Sequence, residues 1–245
     1  MFGETPIILT GAFLAAFVAG AAGFGDALIV AAIWLQFFSP AEIVPVIVAC
    51  FFVMHIVMLI NMRKHLDFRY LLPFLIGGAV GVPMGAQLLK LVEPHTFKLF
   101  AGAGLIAYGT IMLMLTNLPV IAWGGKVLNA GVGCIGGLLG GFAGLSGFVP
   151  AIWCTQRGWS REQTRGVTQP YIMTMHGMAF GWMASGGLVT SLTGSRFMIA
   201  MPAVAVGAWL GVRLYGQFDE KRFRQCVLVM LVIAGTLLLF NPGGR

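Results

Sequence analysis

Charge is what this chain has least of. Only 9% of its 245 residues are Asp, Glu, Lys or Arg, where a soluble domain carries about a quarter. The longest polar stretches, around Arg63–Arg69 and Gly158–Arg165, are loop-sized, which excludes a water-soluble domain. Cysteine is scarce as well. Cys50, Cys134, Cys154 and Cys226 are scattered with no C-x-x-C. That excludes a disulfide framework or thiolate metal site and leaves them as small hydrophobes. The phosphate loop G-x-x-x-x-G-K-[ST], the zinc motif H-E-x-x-H and the nucleophile elbow G-x-S-x-G are all missing. The chain is therefore not expected to be an enzyme or to need a cofactor, and any transport should run on a gradient. Before the first apolar stretch stands Glu4 and no basic group, so that stretch is expected to belong to the fold rather than to a cleaved signal peptide.

Apolar residues make up 58% of the chain, and the mean hydropathy is +0.91. Apolar stretches recur, each near the ~20 residues that cross a bilayer. Helices are expected, because an open strand cannot satisfy its backbone in lipid, and the alternation of a membrane barrel is absent. The lipid bilayer is thus the first partner. The net charge of +7 sits mostly in short loops, where it sets orientation rather than attracting nucleic acid.

The segments read Pro6–Gln36, Ala41–Met62, Phe68–Leu91 and Thr96–Leu118, then Val127–Gln156, Gln163–Leu192, Arg196–Tyr215 and Cys226–Phe240. The second four repeat the first. An offset of 121 lays Gly20-Ala-Ala-Gly23 on Gly141-Phe-Ala-Gly144, Ser39 on Ser160, Met54 on Met175 and His55 on His176. After a small gap, an offset of 126 lays Gly81, Gly85, Gly109 and Thr110 on Gly207, Gly211, Gly235 and Thr236. The chain reads as two repeat halves, 1–120 and 121–245, forming one membrane domain.

The first segment of each half is dense in glycine, which weakens a continuous helix. It is either one long tilted helix or a re-entrant pair. Charge counting separates the two. If all eight segments cross, one side carries 6 of the 15 basic residues, which is almost no bias. If the first segment of each half dips in and returns, the split is 11 to 4, a positive-inside signal. Each half then crosses three times, so the halves run in opposite senses. The expected fold is an all-α membrane protein of two inverted repeats, with both termini on the non-cytoplasmic side. A homodimer is plausible for so small a membrane domain.

Glycine-broken helices, duplicated halves and buried ionisable groups form the pattern of a secondary transporter. A helix that ends inside the membrane offers unpaired N–H groups and a partial positive charge to an anion. The candidate tips are Gly23–Asp26 and Gly144–Gly147, with Ser146 adding a hydroxyl. Arg165, Gln169, Met173 and His176 recur at helical spacing along one stripe. In the first half that stripe becomes Val44, Val48, Phe52 and His55, so the polar lining is concentrated in the second half. Ser146, Gln169 and His176 are expected to contact the anion, with His55 as the matched partner and Arg165 at the entrance. Burial and a bound anion pull a histidine's protonation in opposite directions, so His176 is also a coupling candidate. Asp26, whose repeat partner is Gly147, either caps its half-helix or carries a coupling ion.

The paired openings GAAGFGDALIV and GGFAGLSGFVPAIW, the G-x-x-x-G third segments, and Gly109-Thr110 with Gly235-Thr236 resemble the TauE/SafE family of sulfite exporters. The resemblance spans nearly the whole chain. It implies a bacterial inner-membrane transporter that moves small sulfur-containing anions outward, among them sulfite, sulfoacetate and other organosulfonates. Two other readings remain. One is a cation or metal permease using Asp26 and the methionines, which the sparse carboxylates disfavour. The other is a non-transporting membrane protein with His55 and His176 as axial haem ligands, which would show a Soret band.

Overall fold

A computed structural model describes residues 3–22, 25–61, 68–114, 121, 123–214 and 220–240. The described residues contain no strand. Their helices are α1 (Thr5–Ala22), α2 (Asp26–Trp34), α3 (Pro40–Asn61), α4 (Phe68–Leu91), α5 (Pro94–Met114), α6 (Gly125–Ala143), α7 (Phe148–Gln156), α8 (Arg161–Ser185), α9 (Ser191–Arg213) and α10 (Glu220–Phe240). Residues 1–120 and 121–245 therefore contain the same order: a long helix, a break, a nine-residue helix and three further long helices. By length and composition α3, α4, α5, α6 and α9 can cross a membrane. At 1.5 Å per residue, α2 and α7 reach only about 14 Å, half a bilayer core.

The chain forms two compact units, and each draws on both sequence halves. The first comprises Met1–Ile43, Val92–Leu118 and Ser195–Arg245. The second comprises Val44–Leu91 and Pro119–Gly194.

In the first unit, α2 folds back along α1. The Trp34 indole Nε1 donates to the Ile7 carbonyl at 3.1 Å, and a Cβ on Gly11 would strike that indole. Gly25, at φ 98°, starts α2 in the left-handed region that glycine tolerates. α9 lies parallel to α1: Gly207 abuts the Phe13 carbonyl and Gly211 the Phe17 carbonyl. α5 and α10 run antiparallel, with Gly102 against Gly235, and Gly109 against Leu228 and Val232. Gln36 Nε2 donates to the Ala234 carbonyl at 3.1 Å, tying the end of the hairpin to α10. Arg196 is buried. Its guanidinium pairs with Glu42 at 3.0 Å and Glu4 at 3.3 Å and lies over the Phe38 ring. Lys98 is buried too. Both lie within the apolar segments the sequence marked out, but they are buried rather than set at an exposed end, Arg196 held by carboxylates and by an aromatic face.

The second unit is built on α4 and α6, which pack in parallel through glycine. Gly77, Gly81 and Gly85 abut backbone atoms of α6, while Gly133, Gly137 and Gly141 abut backbone atoms of α4. Without side chains at the seam, two backbones come into direct contact. The opposite face of α4 presents Leu72, Ile76, Val80, Met84 and Leu88, all exposed and four residues apart. Such a bulky apolar stripe suits lipid. α8 begins with a capping box in which the Ser160 side chain accepts from the Gln163 N–H and Gln163 returns the bond. α8 ends at Ser185, earlier than the Leu192 that the apolar pattern indicated. Gly186 caps it and Gly187, at φ 76°, turns the chain, so α9 starts at Ser191.

Candidate functional site

The glycine-broken segment of the second half is a helical hairpin. Gly144 stops α6 by taking φ 76°. Its N–H donates to the Gly140 carbonyl, and the Leu145 N–H to the Leu139 carbonyl, the paired bonds that close a helix end on a left-handed glycine. α7 then returns along α6. Ser146 packs on Gly140, Pro150 on Gly136, and the Trp153 indole donates to Asn129 Oδ1 at 2.8 Å. Asn129 thus holds the hairpin arms together. At the open end Ile121 donates to the Gln156 carbonyl, and the Arg157 guanidinium donates to the carbonyls of Ile121 and Trp123. Tyr171 on α8 donates to the Gly133 carbonyl at 2.7 Å and fills the space over Gly78 and Gly136.

The tip of this hairpin meets two histidines. His176 Nε2 lies 2.9 Å from the Gly144 carbonyl. A carbonyl only accepts, so the ring donates through Nε2. His55 Nδ1 stands 2.5 Å from Gln169 Oε1, again an acceptor, so His55 donates through Nδ1. The two imidazole centroids are 5.9 Å apart, with the rings inclined at 49°. Both histidines are wholly buried and Gln169 nearly so. Ile47 and Val48 of α3 press on Gly144 from the other side. Gln169 and His176 lie seven residues apart on α8, two turns, and so share a face.

Ser146 stands at the start of α7, where the first-turn N–H groups have no acceptor within the helix. Its hydroxyl is fully buried and has no hydrogen-bond partner among the described residues. Leaving such a group unmet costs about 1–3 kcal/mol, so it calls for an explanation.

The structure thus brings together His55, Gln169, His176 and Gly144 in the second unit, with Ser146 two residues past Gly144 and its hydroxyl against Gly140. Arg165 lies on α8 one turn before Gln169 and is half-buried. Asp26 belongs to the first unit, buried as the first residue of α2; the cap position itself is Gly25. Gly23 falls outside the described residues. Sequence reasoning missed the indole bond to Asn129 and the Tyr171 bond to Gly133. Both are made by an aromatic donor across helices, and no spacing rule reports that. Among the described residues no group of three His, Cys, Asp or Glu side chains is placed to hold a metal ion.

One feature of the second unit decides its electrostatics. Among its described residues the buried polar ones are His55, Asn129, Ser146, Thr168, Gln169, His176 and Thr193, and none of these is a carboxylate, lysine or arginine. The buried Asp26, Lys98 and Arg196 all lie in the first unit.

Several membrane-length apolar helices and an enclosed polar cluster define a multi-pass membrane protein. Over residues 8–238 the chain matches the family model described as sulfite exporter TauE/SafE, and it belongs to that family of membrane transporters for sulfur anions such as sulfite. Comparison with curated proteins and with solved structures gave no match.

Proposed function

We propose that this protein is a secondary transporter that exports sulfite or an organosulfonate such as sulfoacetate across the bacterial inner membrane. The observation that carries the reading is the meeting of His55, His176 and Gln169 with the α6–α7 hairpin tip. The N-terminal turn of α7 and the buried unmet Ser146 hydroxyl offer donors to an oxyanion, and His176 would gain one on protonation, without a fixed cation in the membrane. Ser146, Gln169 and His176 contact the anion, His55 is the matched second imidazole, and Arg165 draws the anion in. Proton exchange at His176 links protonation to transport.

The two sequence halves act as inverted repeats. Equivalent helices α5 and α10 pack antiparallel, as an axis in the membrane plane requires. The return of α2 along α1 and of α7 along α6 supports the re-entrant reading, which gives the 11-to-4 charge split. Contacts also join residues which that topology puts on one side: Glu4 and Glu42 with Arg196, Tyr70 with Trp159, and Lys90 beside Gly186.

Thermal unfolding of the purified protein against sulfite, sulfoacetate, taurine, sulfate, thiosulfate and acetate tests the reading. A ligand at a hundred times its Kd adds about 2.7 kcal/mol to the folded form. A sulfur anion should raise the Tm, and Gln169→Ala or His176→Ala should remove the rise. Stabilisation by a divalent cation alone would transfer the case to a cation permease and to Asp26.

A further inference from the structure

The glycines of α6 serve different neighbours. Gly133, Gly137 and Gly141 abut the backbone of α4, and Gly136 makes room for the Tyr171 hydroxyl and the Pro150 ring. Gly140 belongs to neither group. The three atoms nearest to where its Cβ would stand all belong to Ser146: first Oγ, then Cβ at 3.1 Å and Cα at 3.3 Å. We infer that Gly140 is a positioning residue, whose missing side chain holds the Ser146 hydroxyl in the orientation that receives the transported oxyanion. The inference rests on the transporter reading above.

Glycine inside a helix is less favourable than alanine, so a methyl-sized gap there needs a reason. The backbone at Gly140 supplies none. It is ordinary helix, without a positive φ, and its carbonyl takes the Gly144 N–H as any residue's would. The gap is filled by the Ser146 oxygen. A serine hydroxyl chooses among three staggered positions, and the absence of a methyl at 140 is what permits this one.

In that position the hydroxyl satisfies nothing in the protein. Ser146 is fully buried, and its Oγ has no hydrogen-bond partner among the described residues. A gap kept open for a group that leaves that group unmet is not explained by stability. It is explained by a molecule that reaches the tip and accepts the hydroxyl proton. An oxyanion does so strongly, because a hydrogen bond to an ionised acceptor is stronger than one between neutral groups.

The other sequence half has the reverse arrangement. At the offset of 121, Ala19 stands for Gly140 and Gly25 for Ser146. Where the second half has a hydroxyl and no methyl, the first has a methyl and no hydroxyl. The pair therefore differs between the halves as a pair, which suits a site built in one of them.

Because Oγ is the end of a rotatable side chain, a methyl at 140 should turn the hydroxyl away rather than break the hairpin. Calorimetric titration of the full chain in detergent with sulfoacetate, and in parallel with sulfite, tests this. Gly140→Ala and Ser146→Gly should each weaken binding about tenfold, the loss of one hydrogen bond to a charged group. The double change, which copies the Ala19–Gly25 pair, should also lose about tenfold and not the product of the two. Its Tm without ligand should be no lower than that of Ser146→Gly, since the methyl enters vacated space. Gly131→Ala on the same helix, where a Cβ meets nothing within 4 Å, should bind as wild type does. Wild-type affinity in Gly140→Ala or in Ser146→Gly, or losses that multiply in the double change, overturns the inference and leaves the transporter reading standing. If wild type binds neither probe and no sulfur anion shifts its Tm, both fall together. Should Gly140→Ala fail to fold, the double change against Ser146→Gly still decides: equal affinity supports the inference and a further loss overturns it.

Discussion

His55 and His176, 121 positions apart in the chain, stand with their ring centroids 5.9 Å apart inside one compact unit. An offset of 121 matches them in the proposed duplication, which would put the pair close to the axis relating the halves. Their surroundings differ: His176 reaches the Gly144 carbonyl and His55 reaches Gln169. Four predictions about the scaffold and one about transport follow from this arrangement and its supports.

The α4–α6 seam should tolerate no side chain. A Cβ on Gly81 would collide with the Cys134 carbonyl, whereas a Cβ on Gly104 of α5 meets nothing within 4 Å. Overpacking of a tight contact costs about 1–3 kcal/mol. Gly81→Ala should lower the Tm and the yield of monodisperse protein, and Gly104→Ala should leave both near wild type. Size-exclusion profiles and melting curves of the two variants make the comparison.

The two hairpin tryptophans should not be equal. Trp153→Phe leaves Asn129 Oδ1 buried without its indole donor, a cost of about 1–3 kcal/mol. Trp34→Phe withdraws a donor from the backbone carbonyl of Ile7, which lies within α1. That carbonyl keeps its helical bond, so the loss should be nearer 1 kcal/mol. Chemical or thermal denaturation of both variants in the same detergent ranks them.

Arg196 should tolerate removal better than isolation. Its carboxylate partners Glu4 and Glu42 are 44% and 49% exposed, so each pair is worth about 1 kcal/mol or less. Arg196→Met exchanges the guanidinium for an apolar chain over Phe38 and should cost little. The double change Glu4→Gln with Glu42→Gln leaves a buried cation unpaired and should cost more. Melting temperatures in the opposite order would contradict this.

The proposed inverted topology would place the Gly186–Gly187 turn and the Arg157–Ser160 turn on opposite sides of the membrane. In a background lacking the exposed Cys226, Gly187→Cys should react with an impermeant maleimide added to intact cells. Gly158→Cys should react only after the membrane is opened. Labelling of both from outside would rule out the hairpin-based charge count.

The helical class and the glycine breaks were legible in the sequence, because apolar length and clustered glycines are one-dimensional signals. Gln169 and His176 were legible as one stripe, since a seven-residue spacing fixes a shared face on any helix. The meeting of that stripe with Gly144 was not readable as a bond, because it depends on how α7 folds back along α6. Lys98 and Arg196 were counted as charges for orientation, and only packing revealed them as buried. The end of α8 was misplaced because Leu188 and Leu192 continue the apolar pattern past Gly187, whose left-handed backbone breaks the helix.

The most direct test of the central claim is flux through the reconstituted protein. Proteoliposomes loaded with labelled sulfoacetate or sulfite should release it faster than empty vesicles. His176→Gln should slow release about a hundredfold or more, and Gly104→Ala should release at close to the wild-type rate. Release by His176→Gln at the wild-type rate, from vesicles with equal amounts of folded protein, would contradict the placing of the transport site at the histidine pair and the α6–α7 tip.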